Sequence, residues 1–409
     1  MHTFQHDNGQ PNFSRLMTLS FVTTLLIVFA STSDAYAQRR KSALDKNTTQ
    51  NKNNTNQPGQ TNPGARSGAS NPLGNQPKPA SKKKGKDEEF APQVVTMEVN
   101  REGIQLVATW FPPIIEEEGK KKKQKALQAN GSATKDKAPE AGKSVAPFIL
   151  VHDWTRNRND MLQLASFLQA RGHAVIVPDL RGHGQSLNVN GLAKPLDHER
   201  FKKAEKASAV GDIDQCKRFL QDKNNEGILN IDLLNVVAVG DSAHLAIAWA
   251  ITDWSWEPVA GIKQGKDVKS LILFSPSNKF AGSSLRKLLK EPLISGRKAI
   301  PLPMLVVWGG QSDAAEGCSG FVNLLRKTRP EAPEGESLAA RWQTQNLFHL
   351  EAPTQMTGIQ LAGSPNAEQI WSFANDFVSQ KVVEFRDQFP WQIRGADAVL
   401  KAREALDNK

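Results

Sequence analysis

Tyrosine is almost missing from this chain. The single one among 409 residues is Tyr36, so a tyrosine nucleophile or general acid is all but excluded. Cysteine is nearly as scarce. Cys216 and Cys318 are too few for a disulfide framework or a Cys-based zinc module, and each sits in its own helical pattern. There is no Gly-x-Gly-x-x-Gly after an apolar run and no phosphate loop ending in lysine, which removes the usual signatures of nucleotide enzymes. Metal-ligand spacing is also absent: His152, His173, His183, His198 and His244 are scattered without a His-x-x-x-His or Glu-x-x-His pattern. No cofactor and no metal are expected. With 39% hydrophobic residues and a mean hydropathy of −0.47, the chain is far too polar to cross a membrane many times.

What the chain has in excess is positive charge, with 52 Lys/Arg against 42 Asp/Glu and a net charge of +10. That balance could suit nucleic acid or an anionic surface, so its location matters. Residues 38–89 carry 11 Lys/Arg and 4 Asp/Glu in a stretch rich in Asn, Gln, Pro and Gly. Such a composition cannot bury enough apolar surface to offset its conformational entropy, so a basic disordered linker is expected there. Residues 115–144, with Glu-Glu-Glu-Gly-Lys-Lys-Lys-Lys, hold 8 Lys and 5 acids and read as a lysine-rich disordered insertion. The rest of the chain is close to neutral. The basic linker is expected to contact anionic cell-surface material; no specific nucleic-acid partner is expected.

The first 37 residues read as an export signal. Arg15 precedes an apolar stretch from Leu16 to Ala30, and Ala35-Tyr36-Ala37 is a small-x-small cleavage pattern. The stretch is short for a spanning helix and diluted by Thr18, Ser20, Thr23 and Thr24. An exported protein is expected, periplasmic, cell-surface or extracellular, with an N-terminal membrane anchor as the alternative if the signal stays uncut.

Beyond the linker, apolar strands alternate with amphipathic helices. An edge hairpin is expected around Asn100-Arg101-Glu102-Gly103. Continuous apolar runs in APFILVHDW, HAVIVPDL, LNVVAVG, VKSLILFSPS and PMLVVWGG read as buried strands. WQTQNLFHLEA reads as a further strand. NDMLQLASFLQARG reads as a helix capped by Asn159 and ended by Gly172. EKASAVGDIDQCKRFLQDK, SAHLAIAWAITDW, CSGFVNLLRKT and AEQIWSFANDFVSQKVVEF read as helices. Trp249, Trp254 and Trp256 read as packing at the end of one of them. The fold class is α/β: a doubly wound, mostly parallel sheet with an antiparallel N-terminal edge hairpin. The folded domain is placed at 90–385, followed by a tail over 386–409.

Three runs resemble the α/β-hydrolase family. Asp179-Leu180-Arg181-Gly182-His183-Gly184-Gln185-Ser186 is the most specific. Val239-Gly240-Asp241-Ser242-Ala243-His244 stands between a strand and an apolar helix, where that family's nucleophile elbow lies. Gly309-Gly310-Gln311-Ser312-Asp313 is similar to the family's acid turn. The resemblance covers about residues 94–380 and implies a sheet of the α/β-hydrolase type. It implies Ser242 as nucleophile, Asp313 as acid and, as the sole histidine after Asp313, His349 as base. The N–H groups of Trp154 and Ala243 would hold the oxyanion.

The chain departs from the pattern at three points. An elbow reads small-x-Ser-x-small, yet His244 takes the second small position. His152-Asp153 replaces the usual His-Gly, and a carboxylate near a developing oxyanion opposes it unless it points away. His349 lies inside a strand pattern, while Gln355 appears in the histidine slot, and glutamine cannot accept a proton near neutral pH. The readings left open are an exported protein with a degenerate active site that binds or scaffolds, and a serine hydrolase of carboxylic ester or acyl substrates using Ser242, His349 and Asp313. In a third, minor reading His244 serves as an improvised base. Only one helix-length of chain separates SLILFSPS from PMLVVWGG, so a cleft without a large lid is expected, open to a small or extended substrate.

Overall fold

A computed structural model describes residues 90–99, 102–115, 141–191, 194–259, 262–297, 301–329, 331–333 and 335–395. They fall in one compact unit, Lys83–Lys409. The expected export signal, the basic linker to residue 89, most of the lysine-rich insertion and the end of the tail lie outside the described residues, as do Asn100 and Arg101 of the hairpin turn.

Eight strands form the sheet: β1 Gln93–Val99, β2 Ile104–Phe111, β3 Pro147–Val151, β4 Ala174–Pro178, β5 Leu234–Val239, β6 Val268–Phe274, β7 Met304–Gly309 and β8 Leu347–Ala352. Their order is β1-β2-β4-β3-β5-β6-β7-β8. β1 pairs antiparallel with β2, and β2 antiparallel with β4; every other pairing is parallel. This is the α/β-hydrolase type of sheet, with the antiparallel hairpin at its edge, and it meets the sequence expectation. The residue patterns explain it. Every residue of β3, β4, β5, β6 and β7 is buried, because helices cover both faces and the strands are mostly apolar, Asn235, Lys269 and Ser270 excepted. At the edges, β1 and β8 expose alternate residues.

Five helices do most of the covering: α1 Leu162–Gln169, α2 Val210–Asn225, α3 Ala243–Ser255, α4 Ala315–Arg326 and α5 Glu368–Val378. Ile213, Leu220, Ile247, Trp249 and Phe321 of α2, α3 and α4 pack with Ile149 and Val236 on one face. Leu164, Leu168, Trp371 and Phe377 of α1 and α5 pack with Phe148 and Val237 on the other. The alternation Phe148/Ile149 along one strand thus feeds two cores. Cys216 and Cys318 lie buried in α2 and α4 as free thiols. Trp249 is buried and the Trp254 indole N–H donates to the Val268 carbonyl, while Trp256 is exposed.

Local expectations shift in two places. The cap of the first helical turn is Asn157, not Asn159; its side chain accepts the Asn159 N–H, and a 3-10 turn over Arg158–Met161 leads into α1. Trp342 to Thr344 do not belong to the last strand. They end a short helix, Leu338–Thr344, capped by Ser337, and the Trp342 ring stacks on Phe348 at 4.2 Å between centroids.

The run Asp179–Ser186 turns out to be a structural lock. The buried Asp179 carboxylate accepts the N–H groups of Arg158 and Gln185, each at 2.8 Å, and pairs with the Arg158 guanidinium. Gly184, at φ +49°, lies so close that a Cβ there would meet this carboxylate at 2.2 Å, which explains glycine at that position. Arg181 reaches Asp212 of α2 at 2.7 Å and Glu102 of the hairpin at 2.5 Å. The Ser186 hydroxyl donates to the Asp179 carbonyl and accepts the Val107 N–H. One loop therefore ties β2, β4 and α2 together.

The tail belongs to the domain further than the boundary at 385 implies. Asn224, Asn225 and Asn230 donate side-chain hydrogen bonds to the carbonyls of Gln392, Arg394 and Phe389. Arg394 is 1% exposed and pairs with buried Asp267. This lies at the amino ends of β5 and β6, away from the strand ends where chemistry is sought.

Candidate active site

In an open parallel sheet the functional crevice lies beyond the carboxyl ends of the strands. Here a cavity of about 540 Å³ opens there. Asp153 and Arg156 line it after β3, Gly240 after β5, Ser275 to Asn278 after β6, Asp313 after β7, and Thr357 to Gln360 after β8. A second hollow of about 840 Å³ shares Asn278, Asp313 and Gly317 with it and reaches Arg286 and Lys327. The intervening segment forms a two-residue ribbon, Lys279–Phe280 with Ser283–Ser284, and two four-residue helices. Among the described residues of that segment, these short elements are all that stands beside the two hollows.

At the elbow the backbone does not place Ser242 at the apex. β5 ends at Val239, and the residue that takes the left-handed turn is Gly240, at φ +55°. Ser242 has ordinary right-handed helical angles, φ −70° and ψ −10°, at the start of α3. Its hydroxyl is fully buried, makes no hydrogen bond, and does not line the cavity. Ala238-Val239-Gly240-Asp241-Ser242 itself satisfies small-x-Nu-x-small, with glycine in the nucleophile position and Ser242 as the second small residue. Registered this way, His244 is no anomaly. It lies one helical turn beyond the apex, and its Nε2–H donates to the Ser277 carbonyl at 2.8 Å. It does not line the cavity, so the reading of His244 as a base finds no geometric support.

The other expected residues separate likewise. Asp313 lines the cavity and is exposed there. His349 lies in the middle of β8, paired with Val306 of β7, and its ring stacks on Trp308 with centroids 5.8 Å apart. It is not among the residues lining the cavity. Of Ser242, Asp313 and His349, the structure brings only Asp313 to the cleft. The strand keeps His349 because β8 runs on to Ala352. Gln355 is exposed in the following loop, and the residues that line the cavity there are Thr357 to Gln360 instead. The loop is clamped onto the acid turn. Gly310 N–H donates to the Ala352 carbonyl at 2.7 Å and Gln311 N–H to that of Thr354 at 3.1 Å. A Cβ on Gly309 would strike the Met356 carbonyl at 2.2 Å. The Ser275 hydroxyl, on a residue at φ +44°, accepts the Gly358 N–H at 2.9 Å.

The anion-holding end is also rebuilt. In an elbow the oxyanion donors are the N–H after the nucleophile and one from the loop after β3. With Gly240 at the apex, the first donor is Asp241, replacing the expected Ala243; the second remains Trp154. The Asp241 N–H donates to the Asp153 carboxylate at 3.3 Å. The carboxylate does not point away. It lies against the face of Gly240 from which a nucleophile side chain would project, and a Cβ on Gly240 would come within 2.7 Å of it. Burial raises the Asp153 pKa above the ordinary carboxylate range, against the pull of the two N–H groups and of Arg156. Behind it, His152 is fixed as a neutral imidazole: Nδ1–H donates to the Asp153 carbonyl at 2.7 Å and Nε2 accepts the Leu180 N–H at 3.0 Å. Burial pushes its pKa down to about 3.

Asp153 stands out in the sequence as a departure, but Gly240 as the elbow apex does not. The signal was present, since the small-x-Nu-x-small pattern fits two positions earlier with no bulky ring in it.

No protein-family model matches the chain, and no curated protein does. Solved structures match at the level of the fold. A CIB-like hydrolase from Thermoplasma acidophilum is 12% identical, covering 70% of this chain and 98% of its own, with a TM-score of 0.41. Esterase 2 of Thermogutta terrifontis, phosphoramylated by tabun, is 14% identical, covering 71% and 94%, with a TM-score of 0.43. A dienelactone hydrolase from Anabaena variabilis is 14% identical, covering 71% and 99%, with a TM-score of 0.40. The chain has the α/β-hydrolase fold; what it does rests on its own residues.

Proposed function

We propose that this protein is a catalytically degenerate α/β-hydrolase-fold protein that binds a ligand in the cleft at the strand ends. The observation that carries this reading is Gly240 at the apex of the elbow, where a nucleophilic hydroxyl would have to stand. Without a nucleophile there is no acyl-enzyme, and no imidazole stands among the cavity-lining residues to serve as the triad's base. Fold alone does not confer the chemistry. The cleft that is left has a mixed polar and apolar lining, and Asp153, Arg156 and Asp313 give it charged groups that favour a small or extended soluble ligand. The N-terminal sequence supports an exported location, and the basic linker supports retention near anionic cell-surface material.

The test is hydrolysis of p-nitrophenyl acetate by the purified protein, followed from the first seconds. We expect neither a burst nor turnover above that of the His349→Ala and Ser242→Ala variants. A stoichiometric burst that Ser242→Ala abolishes would instead support the Ser242-His349-Asp313 hydrolase.

A further inference from the structure

We infer that the second hollow is a binding subsite for an extended ligand with an ammonium group at one end and a carboxylate at the other, as a short peptide has. The inference deepens the reading of the cleft as a binding site and rests on it. One face of α4 lines this hollow of about 840 Å³, from Glu316 through Gly320 and Asn323 to the cap residue Lys327. The observation that points to a ligand is Gly320. It sits in the interior of α4 with a helical backbone, and a Cβ there would meet nothing within 4 Å. Neither crowding nor a left-handed turn calls for glycine at this position, and glycine weakens a helix interior relative to alanine. Its neighbour Gly317 differs, since a Cβ there would come within 2.8 Å of the Asn278 amide. What Gly320 supplies is bare helix backbone in the wall of the hollow, where a ligand can approach closely.

The charges give the ligand its direction. Asp313 and Glu316 line the hollow at the amino end of α4 and Lys327 at its carboxyl end, while Lys279 and Arg286 join the lining from the segment after β6. Among the described residues none of these five side chains is in an ion pair. Glu316 and Lys327 also complement the dipole of α4. Lys279, on the two-residue ribbon, has no helix end to serve. The cations are therefore free to hold a carboxylate and the acids to hold an ammonium group. Glu316 and Lys327 stand about 16 Å apart along the helix axis, at about 1.5 Å per residue. An extended tetrapeptide spans about 13–14 Å, and the reach of the side chains closes the difference. Between the two ends the Asn323 amide both donates and accepts, which matches a peptide group.

The experiment titrates tetraalanine onto the full-length protein and reads binding by saturation-transfer difference NMR. We expect saturable binding by the wild type, weakened at least about tenfold when the peptide is amidated at its carboxyl end or acetylated at its amino end. Gly320→Leu should raise Tm, because leucine favours the helix and enters open space, and should remove the binding by filling the hollow. A merely structural glycine would not link those two readouts. Arg286→Gln, at an exposed position, should weaken tetraalanine at least about tenfold and leave the amidated peptide unchanged; it carries the test alone if Gly320→Leu fails to fold, as judged by circular dichroism. Every variant keeps the basic segments of the wild type, which controls for loose carboxylate binding elsewhere. No saturable binding by the folded wild type, equal binding of either blocked peptide, or unchanged binding by folded Gly320→Leu or Arg286→Gln overturns the inference. Those outcomes leave the degenerate reading standing, because that reading falls on an acyl-enzyme burst and not on peptide affinity.

Discussion

Gly240 and Asp153 form a pair in which each residue explains the other. A side chain at Gly240 would need the space of the Asp153 carboxylate, and it would also need a left-handed backbone that β-carbons resist. Gly240→Ser should therefore destabilise the fold. Adding Asp153→Gly should recover part of the loss, with a coupling of about 0.5–3 kcal/mol in a double-mutant cycle read by urea denaturation. The pH dependence of Asp153 follows from its raised pKa. The folded state holds the proton more tightly than the unfolded chain, so the contribution is fully favourable below the unfolded pKa and is lost as pH rises through the folded one. Asp153→Asn, always neutral, should thus raise Tm at pH 7, and its advantage should shrink as pH falls through the carboxylate range. Thermal melts from pH 3 to pH 7 check this. Ser242 behaves differently. Its buried hydroxyl lacks a partner, a situation that costs about 1–3 kcal/mol. Ser242→Ala should therefore match or exceed the wild type in Tm, an outcome not expected if the hydroxyl were held in a catalytic hydrogen bond.

At the scale of elements, the strands were legible because their chemistry is uniform. PFILV, AVIVP and MLVVWG are apolar at every position, and only a strand covered on both faces wants that. The helices followed from their apolar spacing. What the sequence hid was register at the turns. The elbow motif fits in two frames two residues apart, and only the backbone angle at Gly240 selects between them. His349 is the one histidine after Asp313 and so reads as a base, yet pairing to β7 holds it in mid-strand. The docked tail was hidden too, since its partners, among them Asn224, Asn225, Asn230 and Asp267, are remote in sequence. The Asp179 loop is expected to be the most sensitive element away from the sheet. Asp179→Ala would strand the buried Arg158 guanidinium and should cost about 3–5 kcal/mol in chemical denaturation. Ending the chain after Phe385 should also lower the urea midpoint, because Asn224 and Asn230 lose their carbonyl partners.

Over the whole molecule, the +10 charge lies mainly in residues 38–89 and 115–144, whereas the 540 Å³ cavity is lined by Asp153 and Asp313 against Arg156. Removing residues 38–89 should leave the melting temperature unchanged and should weaken salt-sensitive binding to anionic phospholipid vesicles, measured by co-sedimentation. The molecule then reads as a hydrolase-type sheet whose strand ends keep a cavity and an acid turn but hold glycine where the nucleophile belongs. Intact-mass analysis after treatment with a fluorophosphonate probe tests that claim most directly. The account predicts that the folded full-length protein gains no adduct. A stoichiometric adduct that disappears in Ser242→Ala would contradict it.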